Sequence, residues 1–143
     1  MRDEKRYKAV EIEEELIKKW EKERLFSLKS GKKDPKYYIL EMFPYPSGEP
    51  HMGHARNYTI GDVVARVMSR NGHNVLHPIG FDAFGLPAEN AAIKSGIHPR
   101  ESTMENIGKM RAALKRMGMT YDFGDEIITS EPDYYRWTQW LFL

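Results

Sequence analysis

Glu-Met-Phe-Pro-Tyr-Pro-Ser-Gly-Glu-Pro-His-Met-Gly-His, residues 41–54, is the stretch that decides how the rest of the chain is read. The apolar run Tyr37, Tyr38, Ile39 and Leu40 empties into it. Pro44, Pro46 and Pro50 cannot donate ladder hydrogen bonds and hold the residues before them extended, so the strand must stop by about Phe43 and give way to a rigid loop. Beyond the loop, Ile60, Val63, Val64, Val67 and Met68 recur at helical spacing, which puts His51, Gly53 and His54 in or just before the first turn of a helix. Unpaired N–H groups and a positive dipole end lie there, the surroundings a phosphate prefers. Strand, broken loop and helix together make a candidate nucleotide site.

With 143 residues, 41% of them hydrophobic, the chain is long enough to bury a core, and its net charge of +1 carries no global polyanion signature. Cysteine is absent, which excludes disulfides, thiol nucleophiles and cysteine-ligated zinc. No apolar run approaches membrane-spanning length, and the charged start at residues 1–6 lacks the apolar segment of a secretory signal, so the expected address is cytoplasmic, with no membrane partner.

Residues 9–26 place Ile12, Leu16, Trp20, Leu25 and Phe26 near one face of an amphipathic helix, followed by a loop at residues 30–35. The division is an N-terminal helix and linker over 1–35 and an α/β domain over 36–143. Strands are expected at 36–43, 74–79 and around 126–128. Helices are expected from the nucleotide loop to Arg70, from Pro87 to Lys94, from the capping-box pair Ser102 and Glu105 to Gly118, and from Ser130 onward. Strands alternating with helices imply a parallel sheet, half of an open nucleotide-binding α/β fold. The last residues, Trp140 to Leu143, break off inside an apolar helical pattern, as a piece of a longer polypeptide would.

His51 and His54 stand three apart and face the same side of a helical turn, so they can converge on one ligand. The alternatives at this level are two helix-start histidines satisfied by local backbone, or a metal site completed by His77. Gly53 lets a planar base lie against the backbone, or is an ordinary N-terminal glycine. The cations Lys109, Arg111, Lys115, Arg116, Arg66 and Arg70 are either a phosphate-binding face or, as both signs are interspersed, a solvated one. The aromatic run Tyr134 to Trp140 is read as core or as the root of an insertion.

Pro-Tyr-Pro-Ser-Gly-x-x-His-Met-Gly-His at residues 44–54, Arg56-Asn57-Tyr58, the stretch Val75 to Ala92 that contains Gly80-Phe81-Asp82, and Trp137-Thr138-Gln139-Trp140 resemble the catalytic half-domain of bacterial-type leucyl-tRNA synthetases. The likeness runs from about Tyr7 to the end. It implies the first half of a Rossmann-like class I synthetase domain that activates leucine with ATP to leucyl-adenylate and, in the whole enzyme, passes it to tRNA(Leu). It implies His51 and His54 as the catalytic pair on the ATP phosphates, with Pro44, Tyr45, Pro46, Ser47, Gly48, Met52 and Gly53 completing the ATP site. It implies Met42, Phe43, Tyr45 and Asp82 around leucine, with Asp82 on the ammonium group. Magnesium accompanies the ATP; no resident metal is implied. Phe81 and Ile79 stand where the family more often has tryptophan and methionine. Nothing resembles the family's Lys-Met-Ser-Lys-Ser loop: Lys109-Met110-Arg111 shares two letters with it and lies in a helix. The second half of the sheet, the editing and zinc insertions and the anticodon-binding helices have no counterpart, so the remaining domains or a second subunit are expected partners. The rival readings are a synthetase for another aliphatic amino acid and a non-catalytic binding or assembly module.

Overall fold

The computed structural model describes residues 7–31 and 33–143; the charged start at residues 1–6 lies outside it. Helix α1 (Ala9–Lys22) is followed by strand β1 (Lys36–Tyr38), helix α2 (Met52–Arg70), strands β2 (Asn74–Leu76) and β3 (Gly80–Phe81), helices α3 (Leu86–Ser95) and α4 (Pro99–Arg116), strand β4 (Ile127–Ile128) and helix α5 (Pro132–Phe142). Both strand pairs, β1 with β2 and β3 with β4, are parallel. The expected α/β architecture with parallel strands and flanking helices is what forms.

The strands are shorter than their apolar runs because prolines interrupt the ladder. Ile79 and Phe81 turn their carbonyls to β4, accepting from Ile127 N–H at 3.0 Å and Thr129 N–H at 3.1 Å. The alternate residue Asp82 turns its N–H to the opposite edge, where the Pro44 carbonyl accepts it at 2.9 Å. Residues 74–82 thus run between the extended stretch 36–44 on one side and β4 on the other, but Pro44 and Pro46 have no N–H to return, and the sheet parts into two short pairs.

The core lies between these strands and the helices. Tyr58, Ile79, Leu114, Met119 and Tyr121 form one buried cluster, and Phe81, Ala83, Ile107 and Met110 form a second. Helix α4 contributes Ile107, Met110 and Leu114 at three- and four-residue steps, as its periodicity predicts. A buried polar chain ties the layers together. His77 bridges Thr120 Oγ1, 2.9 Å from Nδ1, and Glu41 Oε2, 3.2 Å from Nε2, while the Tyr121 hydroxyl donates to the same Glu41 oxygen. Thr120 N–H donates to Asp62, which also receives Arg66 Nε, and Arg66 reaches on to the Gly118 carbonyl. Burial and then the bond to Glu41 push the Tyr121 hydroxyl pKa up, so it stays a donor. Gly61 of α2 is required here, because a Cβ would overlap the Glu41 carboxylate.

Several expectations are corrected. Helix α1 stops at Lys22, not Phe26: Arg24 takes a positive φ of 46° and folds Phe26 back against Trp20, ring centroids 5.5 Å apart. Ile12 and Leu16 are left exposed. Helix α4 begins a turn before Ser102, since Pro99 pre-sets the first helical φ and the His98 imidazole caps Arg100 N–H at 3.2 Å. Helix α5 buries none of its residues, so its aromatics are not core; Trp137 and Trp140 are 61% and 72% exposed. Most consequential is α2, whose apolar stripe Ile60, Val63, Val64 and Val67 is exposed, while the opposite face carrying Tyr58, Gly61, Asp62 and Ala65 is buried. Among the described residues no helix is long and apolar enough to cross a membrane.

Leu114 is fully buried and Leu141 is 79% exposed. Leu114→Ala is expected to lower the unfolding free energy by about 2–5 kcal/mol and Leu141→Ala by less than about 0.5 kcal/mol, as read from urea denaturation of the two variants.

Candidate active site

The loop that runs from β1 to α2 is held by its carbonyls, since its prolines offer no donors. Tyr58 Oη donates to the Met42 carbonyl at 3.1 Å, Asp82 N–H to that of Pro44, and Asn106 Nδ2 to that of Pro46 at 3.0 Å. Alternate carbonyls of an extended run are thereby pinned by α2, by the residue after β3 and by α4. Burial, then the nearby Glu41 carboxylate, raises the Tyr58 hydroxyl pKa to about 12, which keeps its proton on the Met42 bond. Pro44 and Pro46 are buried, whereas Tyr45, Ser47 and Gly48 face solvent.

At the end of this loop His51 caps α2. Its Nδ1 accepts the Gly53 N–H at 3.0 Å, and the Nδ1 of His54 reaches back to accept the His51 N–H at 3.2 Å. The rings stack with centroids 3.9 Å apart, and His54 in turn lies parallel to Tyr58. Because each Nδ1 takes a backbone proton, each neutral imidazole carries its own proton on Nε2, on the far side of the ring from the backbone. Two Nε2–H donors thus stand side by side at a positive helix end. The His54 pKa is lowered, first by burial and then by the charge His51 would carry, which favours the neutral donor form. The fold also gives Gly53 a role of its own: a Cβ there would come within 2.8 Å of the His51 ring. Met52 is exposed beside it.

Asp82 follows β3 and is half-buried. Its N–H is bound to the Pro44 carbonyl, and its Oδ1 receives the Thr129 hydroxyl at 3.3 Å. Met42 and Tyr45 are 71% and 55% exposed, and the Phe43 ring packs against Gly80. The Asp82–Pro44 bond is what brings the aspartate to the loop. His77 is buried with both ring nitrogens engaged, which removes it from any metal site with His51 and His54, and among the described residues no group of three metal-ligating side chains gathers. Lys109 and Lys115 pair with Glu105 and Glu21, while Arg111 and Arg66 form partly buried ion pairs with Glu126 and Asp62, so all four cations are engaged within the chain. Sequence reasoning missed Asn106 and Thr129. Each is a polar residue with polar neighbours in its own segment, bound to a partner tens of residues away.

The family model for class I (M) tRNA synthetases matches residues 37–143. The chain is 56% identical over 140 residues to a leucine-tRNA ligase of a Cyanothece species, covering 98% of this chain and 16% of that protein. It is also 56% identical to the leucine-tRNA ligase subunit alpha of Aquifex aeolicus, covering 97% of this chain and 22% of the relative. Among solved structures, a LeuRS–tRNA–LeuAMS ternary complex from Agrobacterium radiobacter superposes with a TM-score of 0.86 at 43% identity, over 91% of this chain and 16% of that one. Mycobacterium tuberculosis methionyl-tRNA synthetase with methionyl-adenylate superposes at 0.67 and 25% identity, over 71% of this chain and 20% of that one. The chain therefore spans between about a sixth and a fifth of the length of these relatives.

The histidine cap sets a pH dependence. Above the ordinary imidazole value of 6.5, His54 is neutral both folded and unfolded, and the cap is whole. As pH falls through 6.5 the unfolded chain takes up a proton that the folded His54 resists, so stability is lost toward acid. Urea midpoints compared at pH 7.5 and 5.5 should drop for the wild type by more than for His54→Ala.

Proposed function

This chain belongs to the class I tRNA synthetases, and on that footing we propose that it is the adenylate-forming part of a leucine-tRNA ligase, with residues 36–143 as the first half of its catalytic domain. One observation carries the reading. His51 and His54 are locked by backbone N–H groups as a stacked pair of Nε2–H donors at the start of α2.

In this reaction the leucine carboxylate attacks the α-phosphorus of ATP, the bond from that phosphorus to the bridging oxygen breaks, and pyrophosphate leaves. The carboxylate is already ionised at neutral pH, so no general base is needed, and catalysis rests on positioning and charge stabilisation. The two imidazoles donate to phosphate oxygens as charge builds on them. Gly53 and Met52 with the pinned loop Pro44, Tyr45, Pro46, Ser47 and Gly48 hold the nucleotide. Met42, Phe43 and Tyr45 surround the leucine side chain, and the Asp82 carboxylate takes its ammonium group. Magnesium enters with ATP as its complex. The acyl group then passes to tRNA(Leu), and a cytoplasmic address fits that role.

The exposed α2 stripe supports a further part of the reading: the remaining synthetase domains, or a second subunit, cover Ile60, Val63, Val64 and Val67. The Aquifex aeolicus relative, whose name marks it as one subunit, is consistent with assembly from separate chains.

Leucine-dependent ATP–pyrophosphate exchange tests the activity. Leucine should drive exchange well above isoleucine, valine and methionine, and His54→Ala should reduce it by about 100-fold, the usual cost of one donor to developing charge. Exchange that is equal for another aliphatic amino acid, or unchanged in His54→Ala, would overturn the assignment. Val64→Glu should leave the chain's own stability within about 0.5 kcal/mol, since the side chain is 37% exposed and on the uncovered face. In a complex with the remaining domains, the same change should abolish co-elution.

A further inference from the structure

We propose that Thr129 is a positioning residue for the amino-acid end of the site: its hydroxyl orients the Asp82 carboxylate toward a ligand ammonium group. The inference rests on the reading of Asp82 given above and extends it to a residue 47 positions away.

The parallel register sets Gly80 opposite Ile127 and Phe81 opposite Ile128, so Thr129 arrives beside Asp82 and Ala83. Its N–H continues the ladder to the Phe81 carbonyl. The next ladder bond would run from Ala83 N–H to the Thr129 carbonyl. Instead Ala83 N–H goes to Thr129 Oγ1 at 2.8 Å, and the side chain ends the sheet where the chain turns toward Pro132. That substitution decides where the hydroxyl proton points. With a backbone donor already filling its acceptor side, the hydroxyl has one proton to give, and the neighbouring Asp82 Oδ1, an acceptor, lies 3.3 Å away. Thr129 is 93% removed from solvent, its relative exposure being 7%, so water competes little for that proton.

Asp82 is consequently held twice, through its N–H by Pro44 and through Oδ1 by Thr129. Oδ2 has no hydrogen-bond partner among the described residues and remains the acceptor for an ammonium donor. A carboxylate fixed before the ligand arrives loses no rotamer freedom on binding it.

Isothermal calorimetry of the chain with leucine and with its des-amino analogue 4-methylpentanoate isolates the ammonium contact, with ATP as a control ligand. Thr129→Val keeps the shape and removes the hydroxyl. It should weaken leucine binding roughly tenfold, the scale of one hydrogen bond to a charged group, while 4-methylpentanoate and ATP bind as before. Thr129→Ser should restore leucine binding to within about twofold of wild type. Thr129→Cys, a weaker donor of similar volume, should fall between and serves if the valine variant does not fold. Preserved discrimination between the two ligands in the valine or cysteine variant overturns the inference, as does an equal loss for leucine, 4-methylpentanoate and ATP. Asp82→Ala separates the two layers: if it keeps the leucine preference, or if the wild type shows none, the Asp82 reading itself falls.

Discussion

The constraint on which the site depends is a loop whose two buried prolines, Pro44 and Pro46, cannot donate. They remove two N–H groups that would have knitted this stretch into the sheet, so at those two positions the loop is fixed only as an acceptor. Its carbonyls at Met42, Pro44 and Pro46 are met by Tyr58, Asp82 and Asn106, donors carried by three different segments. An ordinary strand would have been held by its neighbours in the ladder. This one is held by tertiary structure, and the loop inherits its position from α2, from the residue after β3 and from α4 together.

The same logic reaches the histidines and the aspartate. Each of His51 and His54 satisfies a backbone donor at the open end of α2, and in doing so commits its remaining N–H to the outside. A capping interaction, ordinarily a matter of helix stability, here decides a tautomer. Asp82 is treated alike: one bond to its main chain and one to its side chain leave one carboxylate oxygen uncommitted. Structural hydrogen bonds consume one face of each functional group and present the other.

Helix α2 shows what such a piece leaves open. Tyr58, Gly61, Asp62 and Ala65 pack inward, and Gly61 has no side chain because the buried Glu41 carboxylate lies against it. The valine-rich stripe on the other side, which hydropathy alone assigns to the core, is left in solvent. A helix apolar on two faces belongs between two layers, and one layer is present. The reading of a piece from a larger domain rests on that imbalance.

The features legible in the chain alone are local. Proline placement ended the first strand, helical spacing set α2 and α4, glycine closed α2 and α3 near the expected residues, and the spacing of His51, Gly53 and His54 singled out the helix start. Each of these depends on residues within a turn or two of one another. Whether an apolar stripe is covered, why Gly61 lacks a side chain, and which groups hold the loop and Asp82 were decided by the tertiary structure. Asn106 and Thr129 look like any polar residue in their own segments, and the Tyr121 and Glu41 partners lie 80 positions apart. A hydrogen bond between distant segments leaves no periodicity in the chain; it exists only once packing of α4 against the loop and pairing of β4 with β3 have brought donor and acceptor within reach.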